Sequence, residues 1–313
     1  MIPALSTTRP RVVSLIASAT EILHALDAGD LQVGRSHECD WPETILALPA
    51  LTKAKFSVEG SSRQIDDRVK ALVKDGLAVY EVDSARLEEL APDVILTQDH
   101  CEVCAVSLTD VEQAVCAWTG RDVTLVSLRP HTLEALLADI TRVANAIGRP
   151  QAGTRLIAEM KSRLGAIEAS VAGRARPRIA YIEWIDPPMS GGHWMPEIIA
   201  MAGGHNLFGV TGENSPWISW DEVAVADPDV IVVGPCGYDI AVTGREMGVL
   251  RSNAVWGGLR AVAAGEVYVA DGNAYFNRPG PRIVESTEML AEILHPGVCD
   301  YGHRGRSYVR YVP

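Results

Sequence analysis

The sequence predicts an α/β protein of two Rossmann-like lobes with mainly parallel sheets, joined by a long spine helix. Three observations carry this expectation. Short β-branched runs alternate with helical patterns through both ends of the chain, as parallel α/β sheets require. One helical pattern fills residues 132–173 between them. The two ends also echo each other: LAPDVIL at 90–96 matches ADPDVIV at 226–232. A length of 313 residues, at about 150 per domain, agrees with two lobes.

The first lobe, 1–130, carries strand signals at 12–16, 33–36, 79–82, 94–96 and 123–126. Helical patterns fall between them, with Ile22, Leu23, Ala25 and Leu26 in one and Ile65, Val69, Leu72 and Val73 in another. The spine, 131–175, places Leu133, Leu136, Leu137, Ile140, Val143, Ala144 and Ile147 at helical spacing, then resumes with Leu156, Ile157, Met160, Leu164 and Ile167. Gly148, Arg149 and Pro150 should interrupt it, because proline lacks a donor and disfavours helix in the residue before it. The second lobe, 176–313, repeats the style with strands at 179–182, 230–233 and 267–269. A second echo sets Ala25 to Gly34 beside Met201 to Gly209, and the differing distance to the first echo implies an insertion in the first lobe at about 40–83. Residues 296–313, with Arg304, Arg306 and Arg310, form either an extra strand or a contact surface.

Composition excludes several function classes. A net charge of −12 argues against a nucleic-acid groove, which needs a basic footprint. With 47% hydrophobic and 22% charged residues the chain is globular rather than disordered. No apolar run approaches the roughly 18 residues of a membrane span. Arg9 and Arg11 before the apolar stretch 12–19 loosely imitate a secretory signal. The preferred reading is that 11–18 is the first strand and that helix opens at Ser18, so the mature chain begins near Met1 and the expected location is cytoplasmic.

Ligands of open α/β sheets lie beyond the carboxyl ends of the strands, so loops that follow strands are the candidate site, facing a cleft between lobes. Two such loops in the first lobe hold His37, Cys39, Asp40 and Trp41, and His100, Cys101 and Cys104. Thiolates with imidazole suit zinc or another thiophilic metal, and Cys101 and Cys104 have the spacing of half a tetrahedral site. Buried packing thiols and a redox dithiol are the alternatives. Cys116 fits a helical core pattern, Cys236 follows the strand 230–233, and Cys299 has no visible partner; His24 and His131 lie in helix-forming stretches.

Aromatic usage is uneven, with seven Trp against three Phe. Trp41, Trp194, Trp217, Trp220, Tyr275 and Phe276 all fall in loops or at element ends, which suggests a flat ligand. Arg278 follows in a proline- and glycine-rich turn, suited to amide, carboxylate or phosphate groups. The nucleophile elbow, the phosphate loop, His-Glu-x-x-His and the dinucleotide glycine spacing are all absent, so binding is favoured over catalysis.

From about Arg11 to His295 the chain resembles the helical-backbone class of ABC-importer solute-binding proteins. The resemblance rests on Ser14 and Leu15 leading to Ala19, Thr20 and Glu21; on Asp40, Trp41 and Pro42; on 90–95; and, in the second lobe, on Pro187 and Pro188, 203–208, Ser219 to Asp221, and Tyr275 and Phe276 with Arg278, Pro281 and Arg282. It implies two Rossmann-like lobes bridged by one long helix, and a ligand of the corrinoid class, cobalamin or a precursor. Trp41 with Tyr275 or Phe276 would edge or stack on the corrin, and Arg278 would bond its amides or phosphate. Asp40, His100, Trp194 and Trp217 complete the expected ligand set. A permease partner would be docked by an acid on each lobe; the matching first-lobe position is Ala85, while the second keeps Asp221 and Glu222. An acidic partner before the aromatic pair is replaced by Ala274, and 300–303 has the wrong spacing for a histidine-on corrinoid motif. The resulting expectation is non-catalytic corrinoid binding in the cytoplasm. Its rivals are an exported, periplasmic importer component for cobalamin or an iron chelate, and a metal- or thiol-dependent protein using Cys39, Cys101 and Cys104.

Overall fold

The computed structural model describes residues 9–74, 79–98 and 123–312. The chain groups into two compact units: Met1–Val58, Arg68–Arg129 and Ala135–Ile157 in the first, and Glu59–Asp67, Pro130–Glu134 and Ala158–Pro313 in the second. The segment 131–175 is thus divided between the two units, and part of the first-lobe insertion groups with the second.

The sheet of the first unit contains β1 (Val12–Ser14), β2 (Gln32–Arg35), β5 (Val94–Gln98) and β6 (Thr124–Leu128), in the order β2-β1-β5-β6 with every pairing parallel. Because β1 is central, the apolar stretch after Arg11 is an interior strand of the fold, with Val12 and Val13 fully buried. Helix α1 (Ala17–Ala25) follows it directly. Val13, Leu15, Leu51, Leu87 and Ile95 form the core on one side, with Val33, Leu90 and Leu125 packed against them. The insertion contains α2 (Ser62–Lys74) and a separate antiparallel pair, β3 (Thr52–Ala54) with β4 (Tyr80–Val82). The strand expected at 79–82 therefore does not join the parallel sheet. Helix α3 (Ser84–Leu90) leads into β5.

Two helices occupy the expected spine: α4 (Leu133–Ala146) and α5 (Pro150–Val171). Gly148, at φ +71°, takes the left-handed conformation that ends α4, and Pro150 opens α5, where its missing donor costs nothing.

In the second unit β7 (Arg178–Trp184), β10 (Val230–Val233) and β11 (Val267–Ala270) are parallel neighbours. The short strands β8 (Met189–Ser190) and β9 (His205–Asn206) both pair with β7, antiparallel and parallel respectively. Around them run α6 (Met195–Met201), α7 (Trp220–Ala226), α8 (Ile240–Glu246), α9 (Gly248–Arg251), α10 (Arg260–Ala263) and α11 (Ile283–Leu294). One core gathers Ala180, Ile182, Ile231, Val233, Val267 and Val269 from the sheet with Trp220, Leu250 and Trp256 from the helices. The segment after α11 ends in β12 (Tyr308–Arg310), antiparallel to β11, so 308–310 of the segment 296–313 form the extra strand.

The echo seen in the sequence is a structural repeat. The neighbours β2-β1-β5-β6 in one unit correspond to β9-β7-β10-β11 in the other. α3 and α7 are each seven residues long and end on a left-handed residue, Ala91 (φ 45°) and Asp227 (φ 44°). In each unit the aspartate of the following Pro-Asp accepts a backbone N–H where the neighbouring strand begins. Asp93 Oδ2 accepts from Arg11 N and Asp229 Oδ2 from Arg178 N, both at 2.8 Å. Each arginine side chain returns to a carbonyl of the helix, Leu90 O at 2.9 Å and Ala226 O at 2.7 Å. The repeated Pro-Asp thus fixes where the helix stops and where the next strand registers.

Phe276, expected at the ligand, is fully buried, its ring 5.4 Å from that of Tyr181. Phe276→Ala is expected to lower unfolding stability by about 3–5 kcal/mol in urea titrations, while Trp41→Ala changes it by less than about 1 kcal/mol. The backbone hydrogen bond from Arg178, with Arg260 alongside, holds the Asp229 carboxyl below its ordinary value. The native state then binds that proton less readily than the unfolded chain, so the contribution is complete above the ordinary carboxylate value and fades as pH falls below it. Asp229→Asn should therefore destabilise the protein at pH 7 and cease to matter in strong acid, as thermal melts across pH would record.

Candidate functional site

Each unit presents loops at the carboxyl ends of its parallel strands. In the first unit β2 runs out at Arg35 into the loop holding His37, Cys39, Asp40 and Trp41. Arg35 knits this loop together by donating to the carbonyls of Leu48, Ser36 and Cys39 at 3.0–3.2 Å. His37 is committed locally: Nδ1 lies 2.7 Å from the Thr52 hydroxyl, and the ring meets Tyr80 edge-on at 5.1 Å. Burial holds its pKa below the usual imidazole value. Tyr80 donates to Glu38 Oε1 at 2.7 Å.

Cys39 is 1% exposed, packs with Ala17 and Ile45, and receives the Thr20 hydroxyl at 3.1 Å. Cys39 is thus enclosed by packing, and the co-ligands expected with it and His37, Cys101 and Cys104, fall in a segment the structure does not describe. His100, Cys101, Cys104 and Cys116 lie outside the described residues. Among the described residues no group of three His, Cys, Asp or Glu side chains is placed to hold a metal ion. Asp40 and Trp41 remain at the surface, Trp41 with 42% of its area exposed.

In the second unit the turns after β10 and β11 are locked together. Asn277 Nδ2 donates to Gly234 O at 3.1 Å and to Gly272 O at 3.0 Å, and Asn273 N donates to Tyr238 O at 3.0 Å. The turn after β11 is π-helical, Gly272–Phe276, and Asp271 caps it by accepting from Ala274 N at 2.7 Å. Gly272 is required by the contact, because a Cβ there would stand 2.2 Å from Pro235 O. On this frame Tyr275 is half-buried, with the Arg282 guanidinium 5.1 Å from its ring centre. Arg278 is 6% exposed and donates to Asn273 Oδ1 at 3.0 Å. Burial pushes the Asp271 carboxyl up against the pull of its hydrogen bond from Ala274.

The remaining expected residues separate. Trp194 is buried and stacks on His193 at 5.8 Å, while His193 lies 5.5 Å from His131. Burial, with His131 adding to it, lowers the His193 pKa. Trp217 is half exposed, in a bridge with Met189. Trp220 belongs to the core.

Two groups escaped the sequence reading. Glu183, near the end of β7, accepts Ser215 Oγ at 3.0 Å and Cys236 Sγ at 3.5 Å. Beside it Trp184 and Tyr238 pack at 5.2 Å, and their buried Nε1 and hydroxyl atoms have no hydrogen-bond partner among the described residues. Burial and the charge of Glu246 push the Tyr238 hydroxyl up to about 12, so it stays protonated at neutral pH. A strand-end glutamate followed by tryptophan was the only signal available, and alternation alone does not say which of the two meets solvent. On α7 Asp221 is exposed, whereas Glu222 is engaged in a capping box with Ser219; Ala85 is exposed in the first turn of α3.

This chemistry is that of recognition: aromatic faces, a held guanidinium, and amide and hydroxyl groups on rigid turns. Among the described residues no helix is long and apolar enough to cross a membrane. The family model for periplasmic binding proteins matches residues 12–274. The chain is 22% identical over 291 residues to the vitamin B12-binding protein of Vibrio cholerae, covering 91% of this chain and 88% of that relative. It is 27% identical over 290 residues to the cobalamin-binding protein of Halobacterium salinarum, covering 91% and 69%. Among solved structures it is similar to the periplasmic vitamin B12 binding protein of Vibrio cholerae, with a TM-score of 0.65 at 20% identity over 91% of this chain and 96% of that one. It is similar also to a periplasmic heme binding protein from Pseudomonas aeruginosa, with a TM-score of 0.69 at 20% identity over 92% and 94%. These relatives lend no support to the cytoplasmic location expected from the sequence. With the family model covering most of its length and its fold shared with these neighbours, the chain belongs to the periplasmic binding protein family and is a non-catalytic binding protein rather than an enzyme.

Proposed function

We propose that the chain is the solute-binding component of an ABC importer, working on the periplasmic side of a membrane, and that its ligand is a corrinoid such as cobalamin. The observation that carries this reading is the indole of Trp41, 42% exposed on a loop stiffened by Arg35. A large aromatic held in solvent on a braced turn is suited to a flat apolar face. Within the second unit the Asn277-locked turn displays two hydrogen-bonding groups, Tyr275 and Arg278. A corrin carries carboxamides and a phosphate around an apolar plane, which such groups match. The names of the two relatives point the same way. Permease docking would use Asp221 on α7, with Ala85 offering no acid at the corresponding position.

Haem is the second reading, favoured by the imidazoles of His131 and His193, 5.5 Å apart, since imidazole is the ordinary axial ligand of haem iron. Titration with hydroxocobalamin and, separately, with hemin decides between them. The corrinoid reading expects cobalamin to stay with the protein through desalting, and Trp41→Ala to weaken it by at least about 30-fold, as loss of an interface anchor does. Retention of hemin alone, abolished by His131→Ala or His193→Ala, would replace it with the haem reading. Retention of neither would overturn both.

A further inference from the structure

The segment that follows α11 reaches back to the turn that carries Tyr275. The pairing of β12 with β11 sets Ala270 opposite Tyr308, and one step further Asp271 N donates to Ser307 O at 2.9 Å. At that point β11 gives way to the turn Gly272–Phe276. Ser307 is 7% exposed, and its hydroxyl donates to the Tyr275 phenol oxygen at 3.2 Å. Arg282 lies against the ring of the same tyrosine.

The segment has its own anchors in the second unit. Glu292 Oε1 accepts from the backbone N–H of Tyr301 and from that of His303 at 3.3 Å. His303 Nε2 lies 2.9 Å from Glu288 Oε2, and Arg163 of α5 donates to Glu288 at 2.8 Å and to Glu285 at 3.1 Å. Arg310 pairs with Glu266 at 2.6 Å. Glu288 and Glu292 are each under a tenth exposed, so these are enclosed, charge-assisted contacts that resist opening.

From this geometry we infer that Ser307 is a positioning residue that presents Tyr275 as a hydrogen-bond donor to an acceptor oxygen at the edge of the ligand. The chemistry follows from direction. The phenol oxygen accepts the Ser307 proton, so the Tyr275 proton is left to point away from Ser307. A carboxamide carbonyl or phosphate oxygen accepts such a proton, and a group with donors only does not. The family match ends at residue 274, so both partners of this contact lie beyond it. The inference rests on the corrinoid reading for the identity of the ligand, though not for the bracing itself.

The experiment compares wild type with Ser307→Ala, Ser307→Thr, Tyr275→Phe and the Ser307→Ala/Tyr275→Phe double variant, using hydroxocobalamin as probe. Amide hydrogen exchange of the ligand-free proteins is followed at 274–277 beside the titrations. Loss of one hydrogen bond should speed exchange there about 2- to 10-fold in Ser307→Ala, with Ser307→Thr returning it to the wild-type rate. Each single variant should weaken cobalamin, and the double variant should be no weaker than Tyr275→Phe alone, because Ser307 acts through the phenol. Unchanged exchange in Ser307→Ala would overturn the inference, as would a further loss of affinity when it is added to Tyr275→Phe. If wild type retains no cobalamin, the corrinoid reading fails, and exchange at 274–277 still decides whether Ser307 holds the turn.

Discussion

The strand-end turns of the second unit depend on one side-chain amide. Asn277 bonds two carbonyls from different turns, Gly234 after β10 and Gly272 after β11, and makes one rigid ledge from what would otherwise be two loops. That bond requires Gly272 to lie against Pro235, which only glycine permits. Part-buried amide bonds of this kind, made to two carbonyls at once, hold both turns at the cost of losing either bond. Everything displayed nearby inherits the position of the ledge: Tyr275 leaning against Arg282, Arg278 tied to Asn273, and Phe276 turned into the core. Rigidity of this sort reduces the ordering cost of binding a ligand.

The repeat explains why such a ledge exists at all. In both units a Pro-Asp after a seven-residue helix caps the start of the neighbouring strand, so the parallel strands finish in register and their following loops gather on one edge. The first unit spends its extra length there on an inserted helix and an antiparallel pair; the second adds β12. The two units thus differ in these additions and share the clasp at the amino ends of their strands.

Much of this architecture was legible in the sequence because it is written in local patterns. The echo of 90–96 with 226–232 marked two structural copies, and the Gly148 to Pro150 interruption marked the helix break. Side-chain direction was not legible. Tyr275 and Phe276 are neighbours in a π-helical turn, and only its geometry shows that one is half-buried and the other sealed against Tyr181. Cys39 sits in a loop rich in metal-binding residue types, yet its rotation toward Ala17 and Ile45 depends on packing from α1 and the insertion, which no spacing rule contains. The strand at 79–82 was recognised as a strand, but its partner β3 lies in the insertion, where periodicity says nothing of pairing.

The family model over residues 12–274 establishes the family, and ligand choice is left to the side chains on the strand-end loops. The central proposal is that Trp41 of the first unit meets the flat face of a corrin. A crystal structure of the protein grown with hydroxocobalamin tests it most directly. The corrin is expected against the Trp41 indole. A corrin bound with Trp41 untouched would contradict it.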